Sequence, residues 1–369
     1  MDFKPFKMAQ YSARLSARLG LPLQNLHSSN PQPWTWDELS TLTNTDLAAW
    51  LTQAPLHYEA VQGHPQLRAM LCQHLYPSLS ANDVVLTAGA QEGIFLVMQA
   101  LLKPGDEVIT FSPGFEPLAQ VAADAGAQVK ILPLVADQGW HIDWPALEQA
   151  LSDAPRLLVI NFPHNPTGAQ LSEGDLRRLV NLCEQRGCWL LADEVFRGLE
   201  HAGTARLSNA AELYDRAISM GVVSKALALP GVRLGWLAAQ SQSLRDQLLV
   251  VKSHVSICQS SLDAHLCQAI VPHMATLWRR KVAIIEQNKA LLNQRLQEHP
   301  KFHWQAPQAA ATAFIQYRGD DLERLLQKWA ADWGWLVLPN AVFLTDEAGF
   351  RLTLGAPDMG PIYQQMFTP

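Results

Sequence analysis

Leu157-Leu158-Val159-Ile160 runs directly into Asn161-Phe162-Pro163-His164-Asn165-Pro166-Thr167-Gly168, and this junction decides the reading of the fold. Four consecutive apolar residues suit a strand buried on both faces, as in a parallel sheet covered by helices. The Asn-Pro step beside a glycine signals a turn, and a plain structural turn explains it by itself. Behind a buried strand, however, such a turn lies at the sheet edge where α/β proteins bind ligands.

Outward from that junction, residues 83–240 alternate short β-branched runs with helical stretches, the order an α/β sheet requires. Upstream, residues 83–87, 107–111 and 128–133 read as strands and 91–102 and 115–125 as helices, with a Pro-Gly turn at Pro104-Gly105. Downstream, 173–186 reads as a helix, and 189–192, 217–221 and 234–239 as strands. Beyond residue 242 the pattern turns helical. Its longest stretch is 261–299, where Pro272 predicts a kink. Residues 320–333 form a further helix among short strands. The expected architecture is α/β: a large domain over 48–250 with a mostly parallel central sheet flanked by helices, and a smaller α+β domain built from 1–47 and 251–369.

The chain has 369 residues, enough for one large core and a smaller partner. A net charge of −6 argues against a nucleic-acid binder, which would carry a basic face. No apolar run approaches the ~20 residues that cross a bilayer, and Met1-Asp2-Phe3-Lys4-Pro5 lacks the layout of a signal peptide. A cytoplasmic protein is expected. The five cysteines are odd in number and lack CxxC spacing, so reduced, mostly buried thiols are expected. No HExxH pair occurs, and no metal is expected.

Four segments carry candidate chemistry. The first is Gly221-Val222-Val223-Ser224-Lys225-Ala226-Leu227-Ala228-Leu229-Pro230-Gly231-Val232-Arg233-Leu234-Gly235-Trp236. A lysine in apolar surroundings is costly while charged, so its pKa falls and its amine becomes a usable nucleophile. Arg233 adds a permanent positive charge, although an exposed lysine and a surface arginine would also fit. The second is Thr87-Ala88-Gly89-Ala90-Gln91-Glu92-Gly93, which joins a strand to a helix whose free N–H groups would suit a phosphate, or which is a turn and nothing more. The third is the Asn165-Pro166-Thr167-Gly168 turn. The fourth is Leu190-Leu191-Ala192-Asp193-Glu194-Val195-Phe196, where Asp193 ends an apolar strand and must be paired or cap a helix.

Taken in this order, the four segments resemble those of class I/II aminotransferases of the aspartate-aminotransferase type (fold type I). The match extends over roughly residues 55–355. The resemblance implies pyridoxal 5'-phosphate (PLP) as cofactor, held as a Schiff base on Lys225 and contacted by Ser224. It implies that Arg233, Gly89, Ala90 and Gln91 hold the phosphate, that Asn165 bonds the phenolic oxygen, and that Asp193 keeps the ring nitrogen protonated so that the ring can act as an electron sink. Phe115 takes the place of an aromatic ring stacked on the cofactor, with an ordinary core phenylalanine as the alternative. Tyr58 matches a tyrosine that reaches the phosphate of a neighbouring subunit, which implies a homodimer with shared active sites. Arg351, in Phe350-Arg351-Leu352-Thr353-Leu354, matches the arginine that grips the substrate α-carboxylate, a task for which a planar guanidinium is suited. The implied partners are an L-amino acid and a 2-oxo acid.

Three positions depart from the family pattern. Phe196 stands where a tyrosine usually donates to the phenolic oxygen. Val222 stands where a serine is common. Ser28-Ser29-Asn30-Pro31 replaces a glycine-containing substrate loop. An aminotransferase is therefore the leading expectation. The alternative is a lyase or cyclase on the same fold, by β/γ-elimination or a capreomycidine-synthase-like cyclisation. A non-enzymatic regulator is a third possibility, disfavoured because no helix-turn-helix segment precedes residue 50. Trp34 and Trp36 are read as core filling, with an apolar pocket wall as the other option.

Overall fold

The computed structural model describes residues 3–54, 56–297 and 299–368. Met1 and Asp2 at the N-terminus, and Glu298 of the long helical stretch, lie outside the described residues. The middle of the chain forms an eight-stranded sheet from β1 (Val84–Thr87), β2 (Glu107–Ser112), β3 (Gln128–Val135), β4 (His141–Ile142), β5 (Leu157–Asn161), β6 (Trp189–Asp193), β7 (Ala217–Val222) and β8 (Gly235–Ala239). The strand order is β1-β8-β7-β6-β5-β2-β3-β4. The run from β3 through β2, β5 and β6 to β7 is parallel. β8 lies antiparallel between β7 and β1, and β4 is an antiparallel edge strand on β3. This is the α/β architecture expected, with a mostly parallel sheet.

The apolar run Leu157–Ile160 is buried throughout, and its alternation shows why. Leu157 and Val159 face a core shared with Ile94, Val97 and Met98 of the helix Ala90–Leu101. Leu158 and Ile160 face a second core, shared with Leu176, Leu179 and Cys183 of the helix Glu173–Arg186. A strand between two helical layers has no solvent face, so every position is apolar. The short helix Trp144–Leu151, absent from the sequence reading, completes the second layer with Leu147, Ala150 and Leu151, which recur at helical spacing behind the Asp143 N-cap.

The single kinked helix expected over 261–299 is instead two helices, Ser261–Ile270 and Met274–Leu296, separated by a 3₁₀ turn at Val271–His273. Pro272 lacks the N–H that an α-helical ladder needs, so the interruption is complete where a bend was predicted. C-terminal to them lies a four-stranded antiparallel sheet in the order Phe302–His303, Thr312–Tyr317, Gly349–Thr353, Leu338–Pro339. The N-terminal chain joins this part, because Gln24–Asn25 pairs in parallel with Trp335–Leu336. All five cysteines are free thiols and four are buried, as expected. Among the described residues no helix is long and apolar enough to cross a membrane.

Candidate active site

The carboxyl ends of β5, β6 and β7 stand side by side, with Asn161 registered against Asp193 and Asp193 against Met220. A cleft of about 200 Å³ opens above them, lined by Ala90, Gln91, Phe115, Asn165, Asp193, Phe196, Val222, Ser224, Lys225 and Arg233, together with Asn30 and Asn161. Residues far apart in sequence therefore meet at one sheet edge, where a doubly wound sheet binds ligands.

One end of the cleft is built for an anion. The helix Ala90–Leu101 starts from Gly89, which has φ +84° and offers no side-chain cap, so the first-turn N–H groups are left for another acceptor. The Thr87 hydroxyl donates to the Gly89 carbonyl (2.9 Å) and holds the turn. Gly235 on β8 lies beneath it. A Cβ there would fall 2.8 Å from the Gly89 carbonyl carbon and 3.0 Å from the Ala90 nitrogen, so only glycine permits this approach. The Arg233 guanidinium closes over the same turn, 2.5 Å from where a Gly89 Cβ would sit, and donates to Ser224 Oγ at 3.3 Å.

The opposite end holds a second cation. Arg351 is buried, donates through Nε to the His27 carbonyl (2.9 Å) and through Nη1 to Asn165 Oδ1 (2.8 Å), and sits 5.0 Å from the centroid of the Phe343 ring. Among the described residues no carboxylate lies within salt-bridge distance of it. Burial without an anion lowers its pKa to about 9 and, with the Arg351 charge nearby, keeps the His27 imidazole neutral with a pKa of about 3. A guanidinium only donates, so the Asn165 oxygen must face it and the Asn165 NH₂ must face the other way. The Asn165 turn is itself fixed from β5. Asn161 Oδ1 accepts from the Asn165 N–H (2.9 Å), and Asn161 Nδ2 donates to the Asp193 carbonyl (3.1 Å).

Between the two cations lie Asp193 and Lys225. Burial raises Asp193 to about 7, against the stabilising hydrogen bond from the Val195 N–H and the attraction of Lys225. Burial also lowers Lys225 to about 7. The charges of Arg351 and Arg233 push it the same way, and Asp193 opposes them. Lys225 Nζ donates to Ser29 Oγ at 2.7 Å and lies 5.9 Å from the centroid of the buried Phe196 ring.

The structure thus gathers into one cleft Ala90, Gln91, Phe115, Asn165, Asp193, Phe196, Ser224, Lys225 and Arg233, each picked out from the sequence, with Gly89 at its rim and Arg351 bonded to Asn165. Tyr58 is not brought there and is 82% exposed on the surface of its own chain. Trp36 is also exposed, so core filling does not describe it. Trp34 packs on the core and donates to the Leu227 carbonyl at 2.9 Å, beside the Lys225 segment. Ser29, His27 and Asn161 were missed as site residues. For Ser29 the signal was at hand, since its segment departs from the family pattern. Asn161 ends the buried strand that opens the Asn165 turn, as Asp193 ends its neighbour, and that position was its signal; for His27 no local pattern marked it.

These groups fit a phosphorylated pyridine aldehyde. Free helical N–H groups and Arg233 suit the phosphate, Asp193 the ring nitrogen, the Asn165 NH₂ a ring oxygen and the Lys225 amine the aldehyde. The chain matches the model of the aminotransferase class I and II family over residues 44–360. It belongs to that family. It is 30% identical over 322 residues to capreomycidine synthase of Streptomyces vinaceus, covering 86% of this chain and 82% of that one. A PLP-dependent aminotransferase from Streptococcus suis 89-1591 superposes with a TM-score of 0.90 at 25% identity over the full length of both chains. The PLP-dependent cyclase OrfR superposes with a TM-score of 0.87 at 25% identity, over 100% of this chain and 97% of that one.

Proposed function

We propose that this protein binds PLP on Lys225 and moves an amino group from an L-amino acid to a 2-oxo acid. The observation that carries this reading is the buried Arg351 guanidinium, which among the described residues has no carboxylate partner and stands across one cleft from a lysine whose pKa burial lowers to about 7. An α-carboxylate would complete the arginine with two parallel hydrogen bonds, which also fixes the orientation of the α-carbon. When bound, the cofactor supplies a sink for the electron pair left by the broken Cα–H bond. Lys225 Nζ takes the α-proton and returns it, a role suited to an amine of lowered pKa. Asp193 holds the proton on the ring nitrogen, Phe115 packs against the ring face, and Arg233 with the Gly89 turn retains the phosphate. In this reading Tyr58 reaches a neighbouring subunit, and its exposure in the single chain is what a homodimer with shared sites requires.

A second reading, cyclisation or elimination by the same site, is supported by Phe196 and by the likeness to capreomycidine synthase and OrfR. Both readings need the same proton removed from the α-carbon and differ in the fate of the electron pair it leaves. The test is to follow the absorbance of the loaded protein while L-amino acids are added one at a time, with the products identified. A 2-oxo acid, with the amino group transferred to a second oxo acid, supports transamination. Ammonia or a cyclic product overturns it in favour of the second reading. Phe196→Tyr returns a hydroxyl donor to the cofactor oxygen. The pKa read from the bound-cofactor absorbance is expected to fall by about one to two units. An unchanged titration would sink the idea that Phe196 retunes the cofactor.

A further inference from the structure

The N-terminal segment reaches the catalytic lysine directly. Ser29 is buried, and its Oγ accepts from Lys225 Nζ at 2.7 Å across 196 residues of sequence. Among the described residues no other side chain lies within hydrogen-bond distance of that nitrogen, and Ser29 Oγ has no second partner. The loop that carries Ser29 is pinned on both sides. The His27 carbonyl accepts from Arg351 Nε, the His27 N–H donates to Asn25 Oδ1 (3.0 Å), and the Gln32 N–H donates to the Gly355 carbonyl (2.8 Å). Ser28 Oγ also bridges the Asn30 N–H and carbonyl, both at 3.1 Å, which closes the loop on itself. The Ser29 hydroxyl is therefore a fixed acceptor aimed at a mobile amine.

We propose that Ser29 is a positioning residue for Lys225, holding its amine in one place within the cleft whenever the amine is not joined to the cofactor. A free lysine side chain samples many rotamers, and one fixed hydrogen bond removes most of that search. The opposite wall offers nothing equivalent, because Phe196 has no polar atom. A hydroxyl can hold the amine in either protonation state, and it raises the amine's pKa less than a carboxylate would. The charged groups facing the amine are Asp193, which attracts it, and Arg351 and Arg233, which repel its proton. Ser29 partly offsets that repulsion by accepting a hydrogen bond.

This inference rests on Lys225 acting as the mobile base of the proposed reaction, so the experiment has one arm that does not depend on turnover. In full-length protein freed of cofactor, competitive acetylation across pH, with the Lys225 peptide quantified by mass spectrometry, gives the titration midpoint of the amine. It is expected at about 7 in the unaltered chain, where burial lowers it. Ser29→Ala and Ser29→Gly are expected to lower it by about one unit, and Ser29→Thr to restore it. In the loaded protein, exchange of the substrate α-proton with deuterated water is expected to slow about tenfold or more in the alanine and glycine variants. KM should stay within about twofold, since only proton transfer is affected. Midpoints and exchange rates matching the unaltered chain in both variants would overturn the proposal. So would a change confined to KM. If the unaltered protein exchanges no amino acid at all, the proposed reaction fails, and the acetylation arm still decides whether Ser29 holds the amine.

Discussion

Lys225→Ala is expected to lower turnover by about 10⁴-fold or more while leaving the fold intact. Two losses combine. On the proposed function, the amine that would join the cofactor is gone, and so is the base that would move the α-proton, a contribution of about 10²–10⁴ by itself. Stability should change little, because the amine lies at a cleft and is held there by one hydrogen bond to Ser29. The phosphate cradle of Gly89, Ala90 and Arg233 is untouched, so the variant should still take up PLP reversibly, measured by cofactor fluorescence. Borohydride should no longer fix the cofactor to the chain. Turnover within tenfold of the unaltered protein would remove Lys225 from the mechanism altogether.

Asp193→Asn carries the second large effect. The carboxylate sits at the buried end of β6 with a pKa raised to about 7, so in the protein alone it holds a proton about half the time near neutral pH. A protonated ring nitrogen supplies the missing counter-charge and draws the carboxylate back to its ionised form. Asparagine keeps the shape and loses the charge, so on the proposed function the ring nitrogen would no longer be held protonated. Turnover should fall by on the order of 10²–10³, the usual cost of removing one preorganised electrostatic contact. The cofactor should still become fixed to Lys225 by borohydride, which separates this variant from Lys225→Ala. Unchanged turnover would mean that ring protonation does not limit the reaction.

The central strands of the sheet were legible because they are buried on both faces. Leu157–Ile160 and Leu190–Ala192 have no solvent-facing position that would break the apolar run. The motifs that end those strands were legible for a related reason. Asn165, Asp193 and Lys225 each follow a buried strand directly, so sequence adjacency stands in for spatial position. Ser29 and His27 escaped because their loop has no regular structure. Its place depends on the pairing of Gln24–Asn25 with Trp335–Leu336 and on Arg351, neither of which leaves a local trace. The helix Trp144–Leu151 escaped because it is only two turns long, although Asp143 at its N-cap and Pro145 in its first turn mark a helix start. The break at Pro272 was placed correctly and its severity underestimated, since whether a proline bends or ends a helix depends on what packs around it.

The bond from Arg351 to the His27 carbonyl closes a loop of 324 residues, whereas everything in the same chain that is proposed to hold the cofactor lies between Thr87 and Arg233. The longer closure costs more chain entropy before any contact rewards it, about 0.6 kcal/mol for each doubling of the span, which favours the shorter one. A refolding chain should therefore regain its affinity for the cofactor before its affinity for the amino acid. For an interval it would be a coloured protein that cannot yet recognise what it acts on.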